Sequence, residues 1–281
     1  MSGEGLSKIR IEGEKMMVFE DVLGMEVARK LANDNKVKAF GLLSSLLSRP
    51  KVEDIEIIYE EKRFDGFWRI LGNSYFEYKR SATYKVPVLK VVDSVNLLDK
   101  DFVVDKGTNT FSIDTIEHCR ESYKEEVFVD AQTDQIGDFN RYLSFKANVI
   151  ESTEELIKDG AFVANLMTKP SFLMRQVLNS LVKPIKADQI LDERISIDEM
   201  CLYFLPVYTF ELHWKAKDKK VMISFDGVSG EMRAKSSKIV EKLKKSFTRD
   251  EMFEFGKEVA NFLPGGGLAV MVGKKALDLK K

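Results

Sequence analysis

The sequence predicts an α+β protein made of two related units, each a helix packed on an antiparallel sheet, with helices at the C-terminus. Three observations carry that expectation. Residues 40–50 and 172–184 both show apolar side chains at three- and four-residue spacing and end in a proline, the mark of a short amphipathic helix. Alternating apolar and polar residues follow each of them, as half-buried strands require. The two patterns also keep step: Pro50 and Pro184 stand 134 positions apart, and at the same offset Phe76-Glu77 falls on Phe210-Glu211.

The elements follow in order. Residues 8–19 alternate enough for a strand or hairpin, and residues 20–32 read as a helix with a break at Asn33-Asp34-Asn35. Ile55, Ile57 and Tyr59 open the strands of the first unit. Residues 67–70 and 75–78 come next, with a turn expected at Gly72-Asn73, and Pro87 suggests an edge strand. In the second unit, strand-like stretches cover residues 201–204, 208–214 and 221–225, and the polar tract 215–220 suits a hairpin turn.

Each unit closes on a similar turn. In Asp130-Ala131-Gln132-Thr133-Asp134 and Asp226-Gly227-Val228-Ser229-Gly230, an Asp follows the strand and a Thr or Ser lies three places later. The first unit therefore carries an insertion across roughly residues 93–122. Thr248-Arg249-Asp250-Glu251 is a capping box that opens a C-terminal helix, which Pro264 and three glycines stop. The expected organisation is an N-terminal hairpin and helix over 1–36 and a first unit over 37–134. A helical linker over 135–170, a second unit over 171–232, and C-terminal helices with a Gly-rich apolar tail over 233–281 complete it.

The second unit, above all Val221-Met222-Ile223-Ser224-Phe225-Asp226-Gly227-Val228-Ser229-Gly230, resembles the closing hairpin of PepSY-type modules. The resemblance covers residues 171–232, and residues 37–134 loosely, where Asp134 stands at the place of the turn glycine. It implies a helix on a small antiparallel sheet and a role in binding or inhibiting peptidases. The chain as a whole also resembles archaeal proteins to which no activity is attached.

Composition narrows the function classes. Of 281 residues, 44% are apolar and 10% aromatic, which excludes wholesale disorder. Lys and Arg number 44 against 45 Asp and Glu, so no global footprint for nucleic acid exists. Two cysteines cannot staple a chain of this size, and no basic leader or long apolar run is visible, so a cytoplasmic setting is expected. Charge is divided unevenly: residues 101–160 hold 14 acidic and 6 basic side chains, whereas residues 215–281 hold 16 basic and 9 acidic. Opposed blocks of this kind are usually solvated faces but also pair between domains or subunits, and the apolar tail 268–272 either offers an open strand edge beside the basic one or folds back onto its own sheet.

Candidate chemistry is sparse. The spacing of Gly267 and Gly273, with Lys275 after Lys274, does not fit a phosphate loop. His118, Cys119, Cys201 and His213 lack metal-ligand spacing, so neither a metal nor a cofactor is expected. The enzymatic alternative is a metal-dependent nuclease, in which Asp65 and Glu77 would hold a divalent ion and Lys79 would help activate water. Nucleic-acid binding is a less favoured option. It would use the aromatic side chains Phe67, Trp68, Tyr75, Phe76, Tyr78 and Tyr84 beside Lys79, Arg80 and Lys85, or the run Lys235, Lys238, Lys242, Lys244 and Lys245. The expected function is a non-catalytic binding or assembly module whose partner is another protein or a second copy.

Overall fold

The computed structural model describes residues 8–11, 13–40, 50–233, 240–254 and 269–272. Three long strands organise it: β3 (Ile55–Pro87), β6 (Thr110–Asp130) and β9 (Gln189–Trp214). Each far exceeds the usual five or six residues. β3 keeps its ladder with β9 through three register shifts, between Ile57 and Tyr59, Leu71 and Gly72, and Glu77 and Tyr78. β3 lies in the middle, antiparallel to β6 on one side and to β9 on the other.

The outer strands attach mostly to β9. Strands β1 (Lys8–Ile11) and β2 (Glu14–Phe19) run parallel to it, opposite Arg194 to Ile197 and Met200 to Phe204 respectively. They are thus neighbours along one strand, not the two arms of a hairpin. The next strand, β10 (Lys219–Asp226), is antiparallel to β9 and bordered by β11 (Met232–Arg233). Two further pairs complete the sheet, β7 (Ala147–Ile150) on β2 and β8 (Phe162–Val163) on β3. The tail strand β12 (Ala269–Val272) pairs with β1, so it folds back onto its own sheet.

Several expectations change at this level. Gly72-Asn73 is not a turn: β3 passes straight through it with a bulge between Leu71 and Gly72. The glycine is there because a Cβ would sit 2.7 Å from Leu181 Cδ1 of the covering helix. Asn33-Asp34-Asn35 does not stop α1 (Met25–Ala39). Their helix penalty is only some tenths of a kcal/mol each. Asn33 and Asn35 donate back to the carbonyls of Arg29 and Leu31 (3.1 and 2.9 Å), while Ala28, Ala32 and Ala39 are buried on one face.

Residues 135–170 hold short 3-10 turns and the strands β7 and β8 where a helical linker was expected. The first amphipathic segment, residues 41–49, lies outside the described residues, as does most of the C-terminal region. The capping box at Thr248 is formed and opens α3 (Arg249–Phe253).

Two helices cover this face of the sheet. Helix α2 (Pro170–Leu181) lies over β3 and β6. Its Leu173, Met174, Val177, Leu178 and Leu181, at helical spacing, share one core cluster with Trp68 and Ile70 of β3 and Ile197 and Leu202 of β9. Helix α1 lies over the end of β9, β10 and the start of β3, where Ala28 and Ala32 share a cluster with Ile55, Tyr208, Phe210, Leu212 and Phe225. The large side chains on each side contribute roughly 1.5–3 kcal/mol apiece on burial. The opposite face of the sheet holds a third cluster around Phe67, Tyr142 and Tyr203, in which the Phe139 ring stacks on Phe67 at 4.3 Å.

Phe76 and Phe210 therefore occupy unlike places. The first pairs with Glu121 and Glu193, whereas the second pairs with Ile223 and Glu60 beneath α1.

Candidate interaction arm

The nuclease residues are not brought together. Asp65 and Glu77 are twelve positions apart on one continuous strand, which at about 3.3 Å per residue separates them by roughly 40 Å. Asp65 is moreover neutralised: Arg63 Nε donates to its Oδ1 (2.8 Å) and Arg233 NH1 to its Oδ2 (2.5 Å). Burial pushes its carboxyl upward, but Arg63 and Arg233 outweigh this and hold it below the usual carboxylate range. Arg63, itself buried, also donates to Glu61 (2.9 Å) and to Thr209 (2.8 Å), whose hydroxyl meets that of Ser224 (2.9 Å). Every charge in this cluster has its partner, which is what a structural network needs.

Glu77 accepts from Tyr75 (3.0 Å) and Arg120 (3.3 Å), and Lys79 lies opposite His118 and Gln189 at the end of β9. His118 and Cys119 sit on β6, Cys201 and His213 far apart on β9, so the four do not form one cluster. Among the described residues no group of three or more His, Cys, Asp or Glu is arranged to hold a metal ion. The aromatic set is divided as well: Phe67, Trp68, Phe76 and Tyr78 are core side chains, whereas Tyr84 is exposed. Lys242 caps the Phe162 ring at 4.5 Å, and Lys235 and Lys238 lie outside the described residues.

Two hairpins share the base of the sheet. The Asp226 Oδ1 accepts from Val228 N and Ser229 N (2.9 and 3.0 Å), and Gly230 N returns to the Asp226 carbonyl (2.8 Å). The Asp130 Oδ1 accepts from Gln132 N and Thr133 N (2.8 and 3.0 Å), and Asp134 N returns to the Asp130 carbonyl (3.0 Å). Gly230 and Asp134 both take a left-handed φ, 74° and 59°. Aspartate tolerates that region better than most residues. Ala131 N donates to the Gly66 carbonyl and Gly227 N to that of Pro206 (3.0 and 2.8 Å).

Beyond this base the hairpins differ. The β9/β10 ladder ends where Trp214 pairs with Lys219, closed by the polar tract 215–220, in which Asp218 takes φ 48°. The β3/β6 ladder continues to the pair of Pro87 and Thr110. β9 leaves it at Lys79, so residues 80–87 and 110–117 form a bare two-stranded ribbon about 25 Å long. Cross-strand polar contacts brace it: Arg80 Nε to Glu117 Oε2 (2.5 Å), Tyr84 to the same carboxylate, and Thr83 to Asp114 (2.7 Å). The Tyr84 hydroxyl and then Arg80 hold Glu117 below the ordinary range.

The arm ends in a small tip. Strands β4 (Ser94–Leu97) and β5 (Lys100–Val103) form a hairpin whose two central residues, Leu98 and Asp99, have φ of 51° and 60°. Such a turn favours Asn-Gly. Val104 and Phe111 are buried at its root, and the Phe102 ring lies 5.7 Å from that of Phe111. Lys106 ties the root by bonding Asp93 (2.6 Å) and the Val92 carbonyl (2.8 Å). The outer side chains are bare: Leu89 is 75% exposed, Val91 83%, Leu98 88% and Val103 82%. Across residues 75–122 seven basic side chains face eight acidic ones, so the arm carries no net positive charge.

Compared with known proteins, the chain matches no family model, no curated protein and no solved structure. Among the described residues no helix is long and apolar enough to cross a membrane. Leu98 drew no notice in the sequence, where its only mark is the Leu97-Leu98 pair between Asn96 and Asp99.

Proposed function

We propose that this protein is a non-catalytic binding module that docks on a partner protein through the tip of its arm. The observation that carries the reading is Leu98, a bulky aliphatic side chain 88% exposed on a left-handed backbone. Holding a leucine in that region costs of order 1–2 kcal/mol, and among the described residues no packing on Leu98 offsets it. Four bare aliphatic side chains on one protruding tip suit insertion into a protein pocket.

The two hairpins support the same reading. We read them as copies of one unit, with Gly66 matching Pro206 at an offset of 140. On that register Trp214 matches Ser74, so residues 75–122, the arm and its tip, belong to the first copy alone. An element added to one copy and built around exposed apolar side chains is where a binding role would be carried.

The test is site-specific photocrosslinking in the native host from position 98, with position 122 on the shaft as the control, followed by binding measurements on the purified captured protein. Leu98→Asp is expected to weaken binding about 30-fold, the effect of losing a hot-spot side chain. An affinity unchanged by that substitution would refute docking through the tip.

A further inference from the structure

The seat for the tip lies on the same chain, at the far end of β6. A cavity of about 230 Å³ is lined by Asp134, Met167, Lys169, Ser171, Phe172 and Arg175. Its two large apolar side chains are bare, Met167 at 65% and Phe172 at 45% exposure. The surrounding backbone is firmly placed: Met167 N donates to the Ala131 carbonyl (2.8 Å), and Phe172 N to that of Lys169 at the start of α2 (3.0 Å).

The charges of tip and seat are opposite in sign. At the tip Asp99 and Asp101 outnumber Lys100, and among the described residues Asp101 accepts from the neutral amide of Asn96 (2.7 Å). In the seat Lys169 and Arg175 outnumber Asp134. Two other cavities fit worse. One is lined by Glu125, Glu126 and Asp138, which would repel the acidic tip. Another, on the shaft, joins Arg80, Glu117, Lys186 and Asp188 and has no large apolar side chain to receive a leucine.

Building on the docking role of the tip, we infer that the partner is a second copy of this chain, whose Met167/Phe172 cavity receives Leu98. A tip cannot reach the cavity of its own chain, because the 21 residues of β6 separate them by about 70 Å. Tip and seat are unlike surfaces, so two copies either exchange both contacts in a closed twofold pair or pass a single contact on head to tail.

The experiment uses the full chain and two charge-bearing substitutions on exposed side chains, Leu98→Glu and Met167→Glu, each checked for an unchanged melting temperature. In sedimentation velocity, the wild type is expected to grow in mass with concentration. Each variant alone should remain monomeric, with at least a tenfold weaker association. Mixed in equal amounts, the two should form a dimer and stop there, because only the intact tip of one and the intact seat of the other can meet. A wild type that stays monomeric at every concentration, or a mixture that stays monomeric, overturns the inference. If the wild type is monomeric while Leu98→Asp still releases a captured foreign protein, the second copy is wrong and the docking role of the tip stands. If neither is seen, both fail.

Discussion

At the base of the β9/β10 hairpin Asp226 is wholly buried, and its second oxygen takes the hydroxyl of Tyr142, with Arg141 3.9 Å away. At the base of the β3/β6 hairpin Asp130 makes the same turn hydrogen bonds from a half-buried position. The local pattern is one and the same. What differs is whether a third element, here the segment of Tyr142, closes over the carboxylate. At their other ends one hairpin stops within the sheet and the other leaves it. A shared turn motif therefore fixes shape, while its energetic weight comes from the surroundings.

The comparison can be broken most forcefully in the core. Phe210→Ala, under α1, should cost about 3–5 kcal/mol in a urea titration. Replacing residues 88–109 of the arm by Asn-Gly should leave the midpoint almost unmoved, because the ribbon adds little to the global transition. A large loss on trimming the arm would show that the tip supports the sheet.

Next come the paired turns. Asp226→Ala should cost about 3 kcal/mol, since it leaves the Tyr142 hydroxyl proton, the buried Val228 amide and the half-buried Ser229 amide without their acceptor, and Asp130→Ala about 1 kcal/mol. Equal losses would mean that burial does not separate them.

Acid sharpens the contrast between cluster and solvent. Asp65 has its pKa held down in the folded chain, so its contribution is fully present above the unfolded value near 4 and is lost as pH falls through the lower folded value. Stability measured by thermal melts from pH 7 down should decline from this source only below about pH 4. In Asp65→Asn that acid-dependent part should be absent.

The smallest effect is on cysteine labelling. Burial pushes the Cys201 thiol up to about 12, whereas Cys119 is half-buried on the arm. Mass spectrometry after iodoacetamide at neutral pH should find Cys119 modified and Cys201 intact, with no change in melting temperature. Labelling of both at one rate would place the arm and the sheet core in a single opening unit.

Much of this was legible in the residues. The Asp130 and Asp226 turns, the tract 215–220 and the capping box at Thr248 all follow from local hydrogen-bonding chemistry, which a sequence carries directly. The long strands were seen only in pieces, because Gly72 reads as a turn until Leu181, over a hundred residues away, is placed against it. The 134-residue offset was drawn from prolines and aromatics, while the ladder bonds put Gly66 and Pro206 in like places 140 apart. Asp65 looked available for a metal because only one of its two arginines, Arg63, is nearby in sequence. Leu98 went unremarked since its meaning rests on a backbone angle that no residue pattern states.

The distant partners of β3 also bear on how the chain is made. β3 needs β9, and the Trp68 face needs α2, so nothing synthesised before about residue 170 can close the sheet. At roughly 5–20 residues per second, the first hairpin waits several seconds or more with its apolar face open. Pairing partners so distant in sequence make for slow folding as well. A nascent chain of this design depends on being shielded at the ribosome, and a pause in translation between β6 and α2 would lengthen the interval in which its half-built sheet can associate wrongly.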